Sequence, residues 1–161
     1  MKKVKVFSIL LACLSMIMNC CRSSAANIIR QPNEKEAEKV VKTFKGSISW
    51  NKFDIDLVRK NLKNIFITCE DDKMVACMRI SVTAPKKIHI NDLVTLKEAR
   101  GKGYAKDLIE HLKQKFSTSS FDLTPTKRSI PFYQKQGFIY NEITNTMFFS
   151  PTTLKEIVSS K

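Results

Sequence analysis

Apolar residues change their period several times along the chain, and each change marks an element. Residues 26–30 read as a short first strand. Asn33 followed three positions later by Glu36 is a helix-start signature, in which each side chain bonds the other residue's backbone N–H. Ala37, Val40, Val41 and Phe44 follow at helical spacing, and Gly46 is placed to end that helix. A second short helix begins after Asp54, with Ile55, Val58 and Leu62 on one face. Residues 64–70 then carry Ile65, Phe66, Ile67 and Thr68, which is strand composition. Asp71-Asp72-Lys73 reads as a turn, and residues 74–82 as the returning strand of a hairpin. Residues 84–87 read as a loop and residues 87–96 as a third strong strand.

After Arg100 the period is helical again. Ala105, Leu108, Ile109, Leu112 and Phe116 recur on one face. A polar break over residues 117–120 leads into a strand at 121–123 and a Thr124-Pro125 turn. Residues 129–136 form a short helix that tolerates Pro131 in its first turn and is stopped by Gly137. Residues 138–143 and 146–150 pair as a last hairpin around Asn145. The order β-α-α-β-β-β-α-β-α-β-β describes an α/β (α+β) chain: one mixed sheet with helices on both faces.

The first 26 residues follow a different logic. Lys2, Lys3 and Lys5 precede a mostly apolar run over residues 6–21, short of the roughly 20 residues a membrane span needs. Ser24-Ala25-Ala26 then offers small residues for cleavage, so 1–26 reads as a signal peptide and 27–161 as one domain. On this reading the protein is exported, periplasmic or secreted, and touches a membrane only through this segment. A mature form starting at Asn27 outside the cytoplasm is the observation that decides it. The same residues leave open an uncleaved anchor, lipidation at Cys20 or Cys21, or a cytoplasmic chain whose signal is not used. Only Cys69 and Cys77 lie beyond it, which reads as two small buried hydrophobes rather than a disulfide framework.

Charge narrows the partners. The chain carries +13, of which residues 1–26 hold four bases and no acid, leaving +9, four fewer, for 27–161. Such an excess favours an anionic ligand. The bases are scattered with no aromatic-interleaved stripe, which speaks against nucleic acid. Neither His89 nor His111 joins a cluster with metal-ligand spacing, so no metal is expected.

The candidate chemistry centres on Arg100-Gly101-Lys102-Gly103-Tyr104-Ala105, between a strand and a helix. Glycines let the backbone approach a ligand closely, and free N–H groups at a helix start favour a phosphate. A basic turn that merely caps a helix is the plainer reading of the same residues.

The surroundings extend the case. Arg100–Ala105 matches the R-x-x-G-x-G/A coenzyme A signature of the GNAT superfamily. Asp92-Leu93-Val94-Thr95 resembles the strand that precedes it in many small bacterial members, and the segment from Ser129 to Phe138 resembles the second signature. The resemblance covers residues 74–148 well, and topology extends it to 27. It implies an acyl-CoA-dependent N-acyltransferase in which the amine attacks acetyl-CoA directly in a ternary complex. Leu93, Val94 and Thr95, on a strand that splays from its neighbour, would bond the pantetheine arm. Main-chain N–H groups from Gly101 to Lys106, through Lys102, Gly103, Tyr104 and Ala105, would hold the pyrophosphate, with Arg100 and Lys102 adding charge. Tyr133 would protonate the leaving thiolate; its other reading is a core aromatic paired with Ile130. For the base, Asp92 has a catalytic or substrate-orienting reading and a structural one at a bulge. His89 lies on the same strand and is the other candidate for the base, its plainer reading being an ordinary strand histidine; His111 reads as a solvated helix residue. The sequence departs from the family pattern at Lys97, Ala99 and Thr126. The amine acceptor is not identified. The competing function is a non-catalytic exported domain of the same fold that binds acyl-CoA or a partner protein.

Overall fold

Asn33 and Glu36 form the reciprocal cap expected of them. The Glu36 N–H donates to Asn33 Oδ1 at 3.1 Å, and the Asn33 N–H donates to Glu36 Oε2 at 2.9 Å. In the computed structural model, which describes residues 28–45 and 54–151, this box opens a 3-10 turn that runs directly into α1 (Ala37–Lys45). Arg30, at the end of β1 (Ile28–Arg30), donates two 2.7 Å bonds to the same carboxylate. That guanidinium, helped by the cap, holds the Glu36 carboxyl down to about 2. One acidic side chain therefore ties the first strand to the first helix. α2 (Ile55–Lys60) is capped by Asp54, which accepts from the Asp56 N–H at 3.4 Å. Residues 1–26, read above as a signal, and Gly46 lie outside the described residues. Among the described residues no helix is long and apolar enough to cross a membrane.

The sheet has seven strands in the order β1-β2-β3-β4-β5-β7-β6. They are β1, β2 (Ile65–Glu70), β3 (Lys73–Ala84), β4 (Lys87–Thr95), β5 (Ser120–Leu123), β6 (Ile139–Asn141) and β7 (Thr146–Phe149). Every neighbouring pair is antiparallel except β4 and β5, which run parallel and are joined by the crossover helix α3 (Tyr104–Lys115). α4 (Ile130–Lys135) follows β5. The mixed α/β order read from the periodicity is the order observed.

Strand alternation builds two cores. Ile65, Ile67, Cys69 and Cys77 face α1 and α2, against Val40, Phe44 and Val58. Phe66, Met78, Ile88 and Ile90 face α3, against Leu108, Ile109 and Leu112. Both cysteines are free and buried, and burial pushes both thiols up, so neither is a ready nucleophile.

Several local expectations shift. β3 extends to Ala84, so the loop shrinks to a two-residue turn at Pro85-Lys86, with Lys86 at φ 58°. The buried face of α3 starts at Tyr104, while Ala105 is only half-buried, beside a cleft between β4 and β5. His111 is half-buried rather than fully solvated. Its ring lies 5.6 Å from that of Phe66, and burial lowers its pKa. The short strand β6 ends at Asn141 because Asn141 Oδ1 accepts from the N–H groups of Ile143 and Thr144, at 3.0 and 3.2 Å, closing the turn.

Candidate active site

The parallel ladder between β4 and β5 is only three pairs long: Lys87 with Ser120, Ile88 with Phe121, and His89 with Asp122. Beyond His89 the two strands part. β5 ends at Leu123, and Pro125, which follows, has no N–H to extend a ladder. β4 runs on to Thr95 with its β5-side edge facing a cleft of about 1130 Å³. Leu93, Val94 and Thr95 line that cleft, as do Arg100, Gly101, Gly103, Tyr104, Ala105 and Lys106 at one end and Asp92, His89 and Tyr133 elsewhere in it.

The glycine turn is shaped by its two glycines. Gly101 sits at φ 82° and Gly103 at φ 96°, a region other residues enter at a cost of roughly 1–2 kcal/mol. An added Cβ at either position meets no atom within 4 Å, so the backbone there is open on the side a side chain would fill. Gly103 is the N-cap of α3 and has no side chain to cap it, so the N–H groups of the first turn lack intrahelical partners. The first intrahelical bond is Asp107 N–H to Gly103 C=O at 3.0 Å. The dipole of α3 and these N–H groups together suit an anion.

The two basic side chains of the turn are engaged elsewhere. Arg100 Nε donates to the Thr95 carbonyl at 3.3 Å, fastening the turn to the end of β4. Lys102 Nζ lies 3.0 Å from Glu70 Oε2 at the end of β2, and Lys102 does not line the cleft. Hydrogen bonds from Tyr104 and Lys102 lower the Glu70 carboxyl. The Lys102 side chain therefore anchors the turn to the sheet, and its backbone alone is available to a ligand in the cleft.

Tyr133 is 7% exposed. Its ring makes edge contacts with Phe132 at 5.0 Å and Phe138 at 5.6 Å, so it packs in the core and borders the cleft at once. Burial, with Asp92 nearby, pushes its phenol up to about 12. Asp92 is buried at 7% and held by Arg79, whose Nε and Nη2 lie 2.7 and 2.6 Å from the same Oδ2. Removing one partner of such a pair leaves the other's charge less well compensated. Asp92→Asn is expected to cost about 3 kcal/mol of stability, read as a lowered thermal midpoint. An unchanged midpoint would show that Arg79 finds other partners without cost.

Arg79, Asn91, Arg128 and Phe132 also line the cleft, and no motif in the sequence marks Asn91, Arg128 or Phe132 as site residues. For Arg79 a signal existed: counting back from a two-residue hairpin turn at 85–86 pairs it with Asp92. His89 Nδ1 is hydrogen-bonded to Asp122 Oδ1 across the β4–β5 ladder, a partner that its own strand does not announce. At Thr126, where the family pattern is broken, the hydroxyl donates to Ser129 Oγ at 3.1 Å and so braces the start of α4. Among the described residues no group of His, Cys, Asp and Glu is arranged to hold a metal.

Comparison with known proteins gives the same picture at low identity. The model of the family described as "Acetyltransferase (GNAT) family" matches residues 29–138. No curated protein matches the chain. Among solved structures, the fold is similar to that of PaiA N-acetyltransferase from Thermoplasma acidophilum in complex with coenzyme A. The two are 14% identical, with a TM-score of 0.65 over 76% of this chain and 96% of that one. It is also similar to Rv2747 from Mycobacterium tuberculosis, solved with coenzyme A, at 12% identity and a TM-score of 0.64 over 71% of this chain and 73% of that one. Ard1 from Thermoplasma volcanium is 20% identical, with a TM-score of 0.61 over 78% and 98% of the two chains.

Proposed function

Because the chain belongs to the GNAT family of acetyltransferases, we propose that it transfers the acetyl group of acetyl-CoA to an amine by direct attack within a ternary complex. One observation carries this reading: β4 and β5 part beyond His89 and Asp122, opening a cleft with the glycine turn at one end and the Tyr133 phenol on its wall. Coenzyme A in two of the similar structures supports the same ligand here. The edge of β4 from Leu93 to Thr95, which no strand pairs and of which Arg100 takes the Thr95 carbonyl, suits the two amides of a pantetheine arm, which need strand-like partners. The turn from Gly101 to Lys106 suits the pyrophosphate through its N–H groups rather than through the Lys102 side chain, which Glu70 holds.

In the reaction the amine nitrogen attacks the thioester carbonyl carbon. A C–N bond forms, the C–S bond breaks, and its electron pair leaves on sulfur. Tyr133 supports departure of the thiolate. With its phenol raised to about 12 it keeps its proton throughout the neutral range, so it donates a hydrogen bond to sulfur as negative charge develops. Buried Cys69 and Cys77 take no part, since a direct attack needs no acyl-enzyme. A screen of amines that follows free thiol release from acetyl-CoA tests the proposal, and binding of acetyl-CoA without release would favour a non-catalytic domain.

A further inference from the structure

The acyl-transfer reading leaves one role unfilled, the group that accepts the proton from the incoming amine. We propose that His89, oriented by Asp122, is that group, and that Asp92 is not. The proposal rests on the acyl-transfer function above.

Position comes first. His89 and Asp122 form the last pair of the parallel ladder, so they stand at the apex where β4 and β5 part, and His89 lines the cleft. Orientation follows from the hairpin register. Cys77, Arg79 and Ser81 alternate onto the sheet face that carries α1 and α2, and they pair with Val94, Asp92 and His89. His89 and Asp92 are an odd number of residues apart and would face opposite ways in a regular strand. The register shift at Asn91 adds one residue to β4 and brings both onto one face. Asn91 Nδ2 donates to Ser81 Oγ at 2.7 Å, which fastens the bulge to β3.

Chemistry then separates the two candidates. Arg79 already directs two N–H groups at one oxygen of Asp92, and a proton arriving there competes with the guanidinium. The His89 ring has one nitrogen committed to Asp122. A carboxylate at Nδ1 takes the N–H of the neutral ring and leaves the lone pair on Nε2, free to accept. As that proton arrives, Asp122 stabilises the imidazolium. Charged groups near it include Asp122 from β5, Lys87 with Nζ 3.9 Å from Asp122 Oδ2, and the Arg79–Asp92 pair farther along the same face; Arg100, Lys106 and Arg128 line the same cleft, and Ser81 on β3 is neutral. The second histidine, His111, packs on Phe66.

An ammonium acceptor sheds two protons on becoming an amide. One passes through His89 to solvent, and the other compensates the proton that ends on the coenzyme A thiol.

Two acceptors separate a base from a structural residue. An alkylamine such as ethylamine is protonated at pH 7, as lysine is, and needs a base. Hydroxylamine is already neutral at pH 7 and needs none for its first step. With the purified full chain, His89→Gln and Asp122→Asn are expected to lower kcat for ethylamine by about 10²-fold. KM for acetyl-CoA and the rate with hydroxylamine should stay near those of the unaltered protein. Equal losses with both acceptors would mean a structural role, and an undiminished ethylamine rate would mean another base; either overturns the proposal. If the unaltered protein binds acetyl-CoA but releases no thiol with either acceptor, the acyl-transfer reading itself fails, and this proposal with it.

Discussion

Gly103→Val is expected to weaken acetyl-CoA binding from the micromolar range, about −8 kcal/mol, by about 10²-fold or more. Two effects act together. Gly103 sits at φ 96°, where a β-branched residue is strained by at least about 1–2 kcal/mol, so the turn is expected to relax toward negative φ and reorient its N–H groups. The isopropyl group also enters the open side of the turn, where a Cβ now meets no atom within 4 Å, and fills the space a phosphate would take. Because that space is solvent rather than core, the sheet and the α3 packing surface of Leu108, Ile109 and Leu112 are untouched. Calorimetric titration with acetyl-CoA, beside a thermal melt of the same variant, reads both effects. Unchanged affinity would rule out this turn as the phosphate cradle. The milder Gly103→Ala keeps the strain and most of the open space, and divides the two contributions.

Tyr133→Phe is expected to lower turnover by about 10²-fold, the usual worth of one placed proton donor, with acetyl-CoA affinity unchanged. The substitution removes one oxygen and keeps the ring, so the edge contacts to Phe132 and Phe138 survive and the fold has no reason to change. The phenol holds its proton until about pH 12, because burial disfavours the phenolate and Asp92 adds like-charge repulsion. A fall in rate between neutral pH and about 10 therefore belongs to another group. A Phe variant running at full rate would mean that water or a different side chain meets the departing sulfur.

Much of this was legible in the chain because it is local. Asn33 and Glu36 announce the first helix through a contact three residues long, and the glycines of the 100–105 turn announce positive φ by residue type alone. Period alone separates β2 and β3 from α3. The features that escaped depend on partners brought together by the crossover. His89 meets Asp122 only because α3 returns the chain to β4 in parallel register, and nothing near either residue specifies that register. Lys102 looks like a phosphate ligand from its neighbours, yet Glu70, 32 residues earlier, takes its charge. The β3–β4 hairpin holds two irregularities, an extra residue at Thr83 on one strand and at Asn91 on the other, which cancel. Simple counting from the turn therefore pairs Arg79 with Asp92 correctly while misplacing His89 by one residue, onto the other face of the sheet.

This cleft is proposed to transfer an acyl group rather than merely bind its carrier. The direct measurement follows free thiol from acetyl-CoA with the purified protein and a panel of primary amines, with mass spectrometry of each amine at the end point. Thiol release is expected to depend on one class of amine, with one acetylated amine for each thiol released, and both are expected to fall by about 10²-fold in Tyr133→Phe. Saturable acetyl-CoA binding with no amine-dependent release across the panel would contradict it.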